Sequence, residues 1–172
     1  ASGFFKKELE NMKVSKADET FTFSVDGPPL MVLFDKGDKI LKSVDFQKSP
    51  EEWIRQLKAA SDVPDRADAA VALGNIKDND SVVSALGDAA RNDRFWGVRQ
   101  EAIRALGKID SSAARKQVLA ALSSEQPWVR QVAVEQMGHF QKDEDTIKRL
   151  EKIYKDDKAY SVRSTALQSL AQ

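Results

Sequence analysis

Residues 98–107 read VRQEAIRALG, and similar stretches occur at residues 65–74, 129–138 and 162–171. In each copy an arginine is followed by alanine after three residues and by leucine or methionine after seven. These spacings place the three side chains on one face of an α-helix. The arginines are 33, 31 and 33 residues apart, a period that is typical of a helical solenoid. They are Arg66, Arg99, Arg130 and Arg163.

Helical signals continue from Ser49 to the end of the sequence. Serine, proline and glutamate at residues 49–52 form a capping box, which predicts a helix start. The apolar periodicity that follows predicts four helix pairs, each with one arginine copy on its second helix. These pairs are 50–60 with 65–76, 80–92 with 97–108, 111–122 with 128–140, and 144–156 with 160–171. The predicted caps of the later pairs are Asp80, Asp110 or Ser111, and Asp143.

The first 46 residues have a different pattern. Apolar and polar residues alternate over 21–26, an apolar run covers 30–34, and a third apolar face lies within 40–46. These patterns predict short antiparallel strands. Strands without closing partners leave exposed edges, so we expect residues 1–46 to be the end of a β-sheet domain. Residues 47–172 are then a separate helical repeat domain, and the fold is mainly α.

The four arginines are interpreted as structural residues of the repeat, together with Trp128. Aromatic residues also precede two of the other arginines, and acidic residues lie in each turn between paired helices. A guanidinium is suited to bidentate contacts, so we expect the arginines to reach turn carbonyls or acids of adjacent repeats. Anion binding is the alternative role. Replacing Trp128 by alanine is expected to cost about 3–5 kcal/mol if the indole is buried. The turn acids are Asp62, Asp93, Glu125, Asp156 and Asp157.

Composition argues against several classes of protein. Lysine plus arginine equals aspartate plus glutamate at 27 each, without the basic excess that is typical of nucleic-acid binders. The absence of cysteine excludes disulfides and thiolate metal sites. No apolar run approaches the roughly 20 residues that a membrane-spanning helix needs. We therefore predict no nucleic-acid partner and no membrane-spanning segment.

No catalytic, cofactor-binding or metal-ligating residue is predicted. His139 is the one histidine, and no orienting partner is evident for it in the sequence. The acidic groups at 78–80 and 143–145 do not fit the spacing of a 12-residue calcium loop, so they are interpreted as helix caps.

The repeat resembles HEAT repeats in a short form. The elements that match are the Val-Arg-x-x-Ala-x-x-x-Leu-Gly helix, the acidic turns and the pairing of helices over residues 50–172. This resemblance implies an α-solenoid and leaves the activity open, because such solenoids serve many functions.

A longer resemblance covers nearly the whole sequence after residue 18. The segments FTFSVD, PLMVLFD, WIRQL and DRADAA occur in an order similar to the carboxy-terminal part of zinc aminopeptidases of the alanyl aminopeptidase family. The resemblance implies that residues 1–46 are the remnant of a β-sandwich domain. It also implies a fragment that packs on the catalytic domain of its own parent chain, in which zinc is expected. The zinc motif of that family, H-E-x-x-H, needs two histidines, so the site is not in this chain.

Three functional hypotheses follow. The first is a non-catalytic carboxy-terminal region of a zinc aminopeptidase, which stabilises the enzyme and shapes substrate access. The second is an independent HEAT-repeat scaffold that binds a peptide or protein on its concave face. The third is a HEAT-like lyase that handles a bilin pigment.

Overall fold

The computed structural model describes residues 13–140 and 144–172, and these residues form eight α-helices in four consecutive pairs. The solenoid of four helix pairs that the arginine period predicts is therefore confirmed. The helices are α1 (Pro50–Ala59), α2 (Val63–Leu73), α3 (Asp80–Asn92), α4 (Trp96–Ile109), α5 (Ser112–Ala121), α6 (Pro127–His139), α7 (Glu144–Asp156) and α8 (Tyr160–Ala171).

Local capping chemistry sets several helix starts. At α1 the Ser49 hydroxyl accepts the Glu52 amide at 3.3 Å, and the Glu52 carboxylate accepts the Ser49 amide at 2.8 Å. This capping box satisfies two amides that lack helical partners. Ser111 caps α5 as one of the two predicted residues, whereas Asn79, and not Asp80, caps α3. Asp143 lies outside the described residues.

The second helices of the pairs form one layer, in which α2 packs on α4, α4 on α6, and α6 on α8. The first helices form the other layer, in which α1 packs on α3 and α3 on α5. Within the described residues, α7 packs on α8 and touches α6, but its backbone does not approach α5. The first-helix layer is therefore interrupted between the third and fourth repeats.

The alanine of each arginine copy lies at the centre of the core. Small side chains at this position let helices approach closely, and the larger residue four positions later fills the space between pairs. Gly74 serves the same purpose, because a Cβ there would lie 3.0 Å from Cα and Cβ of Ala105 on α4. The four alanines are fully buried, as are three of the four larger residues: Ala69, Ala102, Ala133, Ala166, Leu73, Leu106 and Met137.

The β segment is not present in the structure. Residues 13–49 contain no strand, and residues 1–12 of the predicted β domain lie outside the described part of the chain. Alternation predicts a face but cannot supply a neighbouring strand to accept its hydrogen bonds. The apolar side chains at 21–26 and 30–34 are accordingly half-buried or exposed, and Phe23 is 47% exposed. The division into domains at residues 46 and 47 stays a prediction.

Candidate functional site

The four turns between paired helices lie beside one another and form what we call the turn edge (residues 60–62, 93–95, 122–126 and 157–159). At this edge, each of the four arginines donates a hydrogen bond to the backbone carbonyl six residues before it. These carbonyls follow the last turn of the first helix, where backbone oxygens lack helical partners and carry partial negative charge. The bonds are Arg66 to Ala60 at 3.2 Å, Arg99 to Asp93 at 2.7 Å, Arg130 to Ser124 at 2.8 Å and Arg163 to Asp157 at 2.7 Å.

Two of the arginines also bind a carboxylate of the next repeat. Arg66 Nε and Nη2 donate to the two carboxylate oxygens of Asp93 at 2.7 and 3.1 Å. Arg130 binds Asp157 in the same way, at 2.9 and 2.8 Å. Such bidentate pairs are among the stronger hydrogen-bonded contacts in proteins. They connect the first repeat to the second and the third to the fourth.

The Arg130–Asp157 pair perturbs the ionisation of both partners. The hydrogen bond from Arg130 is the main cause that lowers the pKa of Asp157, and the amide of Ala159 lowers it further. The hydrogen bond to Asp157 raises the pKa of Arg130. Both effects favour the charged forms, so the pair is ionised at neutral pH.

Arg99 has no such carboxylate. At the other two junctions the carboxylate belongs to the residue six positions before the arginine of the next repeat, which is Asp93 or Asp157. At the junction of Arg99 that residue is Ser124. A groove of about 440 Å³ opens here, and its lining includes Arg91, Arg99 and residues 123–126. A second groove of about 640 Å³ lies at the next junction beside the Arg130–Asp157 pair. The turn of the third repeat therefore lies between these two grooves on the turn edge.

Exposed aromatic side chains follow the same edge. Trp96, Trp128 and Tyr160 stand in the first turns of α4, α6 and α8 and are 45%, 52% and 78% exposed. We call these three residues the aromatic row. Phe95 packs beside Trp96, with ring centroids 5.4 Å apart. Because the Trp128 indole is half exposed, the condition for a large stability loss on its replacement is not met.

A second polar cluster joins the amino-terminal segment to α1. Lys48 Nζ lies 4.2 Å from the ring centroid of Phe46 and 4.5 Å from that of Trp53, and it donates to the Val32 carbonyl at 2.7 Å and to Gln56. Burial lowers the pKa of Lys48. The two ring faces and the carbonyl oxygen interact favourably with the Lys48 ammonium group, which explains why a lysine packs against α1.

Two carboxylates lie near this lysine on α2. Burial raises the pKa of Asp65 and of Asp68, and repulsion by neighbouring carboxylates adds to both shifts. Asp65 is buried, and its Oδ2 has no hydrogen-bond partner within the described residues. No motif in the sequence identifies this cluster, because its members come from three separate segments.

Sequence reasoning also missed which residue of each turn faces the arginine of the preceding repeat. It grouped Glu125 with the other turn acids, but Glu125 lies one residue past the register position, which is Ser124. Six residues before the four arginines stand Ala60, Asp93, Ser124 and Asp157, and among the last three, which follow another repeat, only Ser124 carries no carboxylate. That the arginines and Trp128 have a purely structural role stays a prediction.

Among the residues that the structure describes, no group of three or more His, Cys, Asp or Glu side chains is placed to hold a metal ion. Likewise, no helix within residues 13–140 and 144–172 is long and apolar enough to cross a membrane.

Comparison with known proteins identifies the architecture. The HEAT-repeat family model matches residues 50–113 and 83–171. Human deoxyhypusine hydroxylase, solved in complex with glycerol, superimposes with a TM-score of 0.61 at 24% identity, over 73% of this chain and 43% of that one. The complex of CpcE and CpcF of phycocyanin lyase from Nostoc sp. PCC7120 gives 0.52 at 23% identity, over 77% of this chain and 57% of that one.

At these identities the two structures show a shared fold and nothing about activity. This chain spans 43% and 57% of their respective lengths. No curated protein sequence matches it significantly.

These findings overturn the resemblance to the alanyl aminopeptidase family. The proteins that match are HEAT-like helical proteins, and the described part of the β segment that supported the resemblance forms no strand. The interpretation as the carboxy-terminal region of an aminopeptidase is therefore wrong. The expectation of zinc in a parent enzyme rested on that resemblance alone. Because the HEAT-repeat model matches more than half of the residues, this chain belongs to the HEAT-repeat family.

Proposed function

We propose that this chain is a HEAT-repeat scaffold that binds a partner protein, and that the aromatic row on its turn edge is the contact surface. The observation that supports the proposal most is the exposure of Trp96, Trp128 and Tyr160 in the first turns of the second helices of three successive repeats. Aromatic residues are enriched in protein interfaces, where they supply much of the binding energy. Three of them in a row on a solvent-facing edge suit an extended partner.

The spacing of the row is set by helix packing. Neighbouring helices in contact have axes about 8–10 Å apart, so the helix starts that carry the three aromatic residues follow one another at steps of roughly that length. A partner strand or helix that runs across the repeats would meet one ring at each step. The fold neighbour from Nostoc, solved as a complex of CpcE and CpcF, is a precedent for assembly of proteins with this fold. The concave face as the place of binding stays a prediction.

The test compares partner capture by matched variants. The wild-type chain and Trp96→Ser/Trp128→Ser/Tyr160→Ser are immobilised, and bound proteins from its own cells are quantified by mass spectrometry. Each protein lost with the triple variant is then purified, and its Kd is measured. We expect binding to weaken more than about tenfold, as loss of interface hot spots does.

A control variant keeps the row and removes apolar surface elsewhere. Val71 on α2 and Leu167 on α8 are 53% and 51% exposed, which matches the exposure of the tryptophans. Val71→Ser/Leu167→Ser should bind the partner like the wild type. If the control lost the partner as strongly as the triple variant, or if the triple variant bound unchanged, the aromatic row would not be the contact surface.

The lyase hypothesis stays a prediction, because the likeness to phycocyanin lyase concerns the fold alone. Incubation of the chain with a bilin, followed by its visible absorbance, tests it directly.

A further inference from the structure

The junction between the second and third repeats differs from its two neighbours at one side chain. Six residues before each arginine, the second and fourth repeats carry Asp93 and Asp157, and the third carries Ser124. Each aspartate receives Nε and Nη2 of the arginine in the preceding repeat. The arginine that faces Ser124 is Arg99, and a serine hydroxyl cannot act as a bidentate acceptor.

The third turn shares one local contact with the other two, although it has five residues and they have three. Asp93 Oδ1 accepts the amide two residues later at 2.8 Å, and Asp157 Oδ1 does the same at 2.9 Å. Ser124 Oγ also accepts the amide two residues later, at 3.3 Å. Ser124 therefore makes the same local contact as the two aspartates, and it carries no carboxylate.

The Arg99 guanidinium is oriented differently as a result. In the other three repeats, Nη1 donates to the carbonyl six residues back, whereas Arg99 uses Nε for that bond. Within the described part of the chain, Nη1 and Nη2 of Arg99 donate to no acceptor. Arg99 lines the groove of about 440 Å³, and so does Arg91, which donates to Gln117. We call this groove the Arg99 notch.

We propose that the Arg99 notch binds a carboxylate side chain of an acidic protein segment, which takes the place that Asp93 and Asp157 hold in the neighbouring junctions. The proposal rests on the proposed function, because the partner protein supplies the acidic segment. Two guanidinium groups in a concave site provide the charge, and Ser123 and Gln126 provide further polar groups. The chain's own pairs at the same register show that this arginine position accepts a carboxylate.

Glu125 is the acidic residue that lines the notch. It is exposed and forms no ion pair with Arg99 in the described residues. Because Glu125 extends from the position after the register residue, it does not reproduce the aspartate geometry of the other two junctions. Glu125 and an external carboxylate are alternative ligands for Arg99, so a test has to distinguish between them.

The test is a titration of the arginine side chains by NMR, which suits a chain of 19.1 kDa. The probe is the peptide acetyl-Gly-Asp-Glu-Asp-Gly-amide, and its control carries the corresponding amides Asn, Gln and Asn. We expect a saturable shift of the Arg99 Nε–Hε signal, assigned from Arg99→Lys, with the acidic peptide only. The signals of Arg66 and Arg130 should stay in place, because carboxylates of the chain already bind them.

The decisive variant is Ser124→Asp, which leaves both arginines of the notch intact and supplies the missing carboxylate from the chain itself. Binding of the peptide to this variant should weaken by about tenfold or more, the factor expected when a charge-assisted contact is lost. Equal binding to wild type and Ser124→Asp would overturn the proposal. The absence of an Arg99 shift in the wild type would also overturn the proposal. This holds even if a shift appears in Glu125→Gln, because Glu125 would then occupy the notch in the wild type.

A parallel titration with inorganic phosphate separates the ligand classes. A shift at lower concentration with phosphate than with the peptide would overturn the assignment to carboxylates. Failure of this proposal and failure of the proposed function are also distinguishable. The titration needs no partner, whereas the capture experiment changes only the aromatic row.

Discussion

The Arg66–Asp93 pair should contribute strongly to stability, and Asp93→Ala tests this. The two side chains are 4% and 7% exposed, so the guanidinium that the substitution leaves behind stays largely out of water. Arg66 Nε and Nη2 lose their acceptors, and the amide of Phe95 loses the Oδ1 that accepts it at the start of α4. Arg66 Nη1 keeps the carbonyls of residues 60–62, at 3.1 to 3.2 Å.

The magnitude follows from these contacts. Removal of one partner of a buried ion pair costs about 3–5 kcal/mol, because the other charge remains buried without compensation. Since Nη1 keeps its three carbonyls, we expect the lower end, about 3 kcal/mol, of which the lost Phe95 hydrogen bond accounts for about 1 kcal/mol. The double variant Arg66→Met/Asp93→Ala removes the orphaned charge as well. It should therefore be more stable than Asp93→Ala alone.

The assay is urea unfolding followed by circular dichroism, with the free energy of unfolding extrapolated to water at a common m-value. A loss below about 1 kcal/mol for Asp93→Ala, within the range of ordinary substitutions, would refute the reasoning. A double variant that is less stable than Asp93→Ala would also contradict it, since the cost would then not come from the unpaired charge.

Three further outcomes are expected from urea unfolding of single variants. Ser124→Asp should raise the free energy of unfolding by about 1–2 kcal/mol, through a new pair with Arg99; no gain would mean that the turn does not direct the carboxylate there. Asp157→Asn should lower the free energy of unfolding by about 1–2 kcal/mol at pH 7. Because Arg130 lowers the pKa of folded Asp157 below its ordinary value of 3.8, this difference should persist above pH 3.8 and vanish as the pH falls through the folded pKa. A difference that is independent of pH from 7 to 2 would contradict that assignment. Trp128→Ala should cost less than about 1 kcal/mol, because the indole is half exposed; a loss of 3 kcal/mol or more, the range for buried rings, would contradict this.

The helices were predictable because their signals are local. The arginine period and the apolar face at three- and four-residue spacing depend only on residues within one or two turns. The capping box at Ser49 likewise lies within four residues. The strands predicted for residues 21–46 were wrong because a strand depends on a partner that the local pattern does not specify.

The candidate site was predictable in part. The arginines and the turn acids are visible in the sequence, but their pairing across repeats needs three-dimensional register. Without that register, the sequence suggests that Glu125 is equivalent to Asp93, and it does not indicate that Ser124 is the residue at this position. The cluster around Lys48 depends on side chains from separate segments, whose meeting no local rule predicts.

The alternation of ion pairs along the solenoid has a mechanical consequence. In a repeat protein, stability is close to a sum of terms for each repeat and for each contact between neighbours. Here the first and third contacts carry a bidentate pair, and the middle contact, which we call the seam, does not. Helix packing joins both layers at the seam, because α3 packs on α5 and α4 packs on α6, whereas the first-helix layer is interrupted at the third contact. The missing pair therefore lowers only the polar part of what the seam contributes to stability. A carboxylate bound at the seam would then act as a removable cross-link between the second and third repeats.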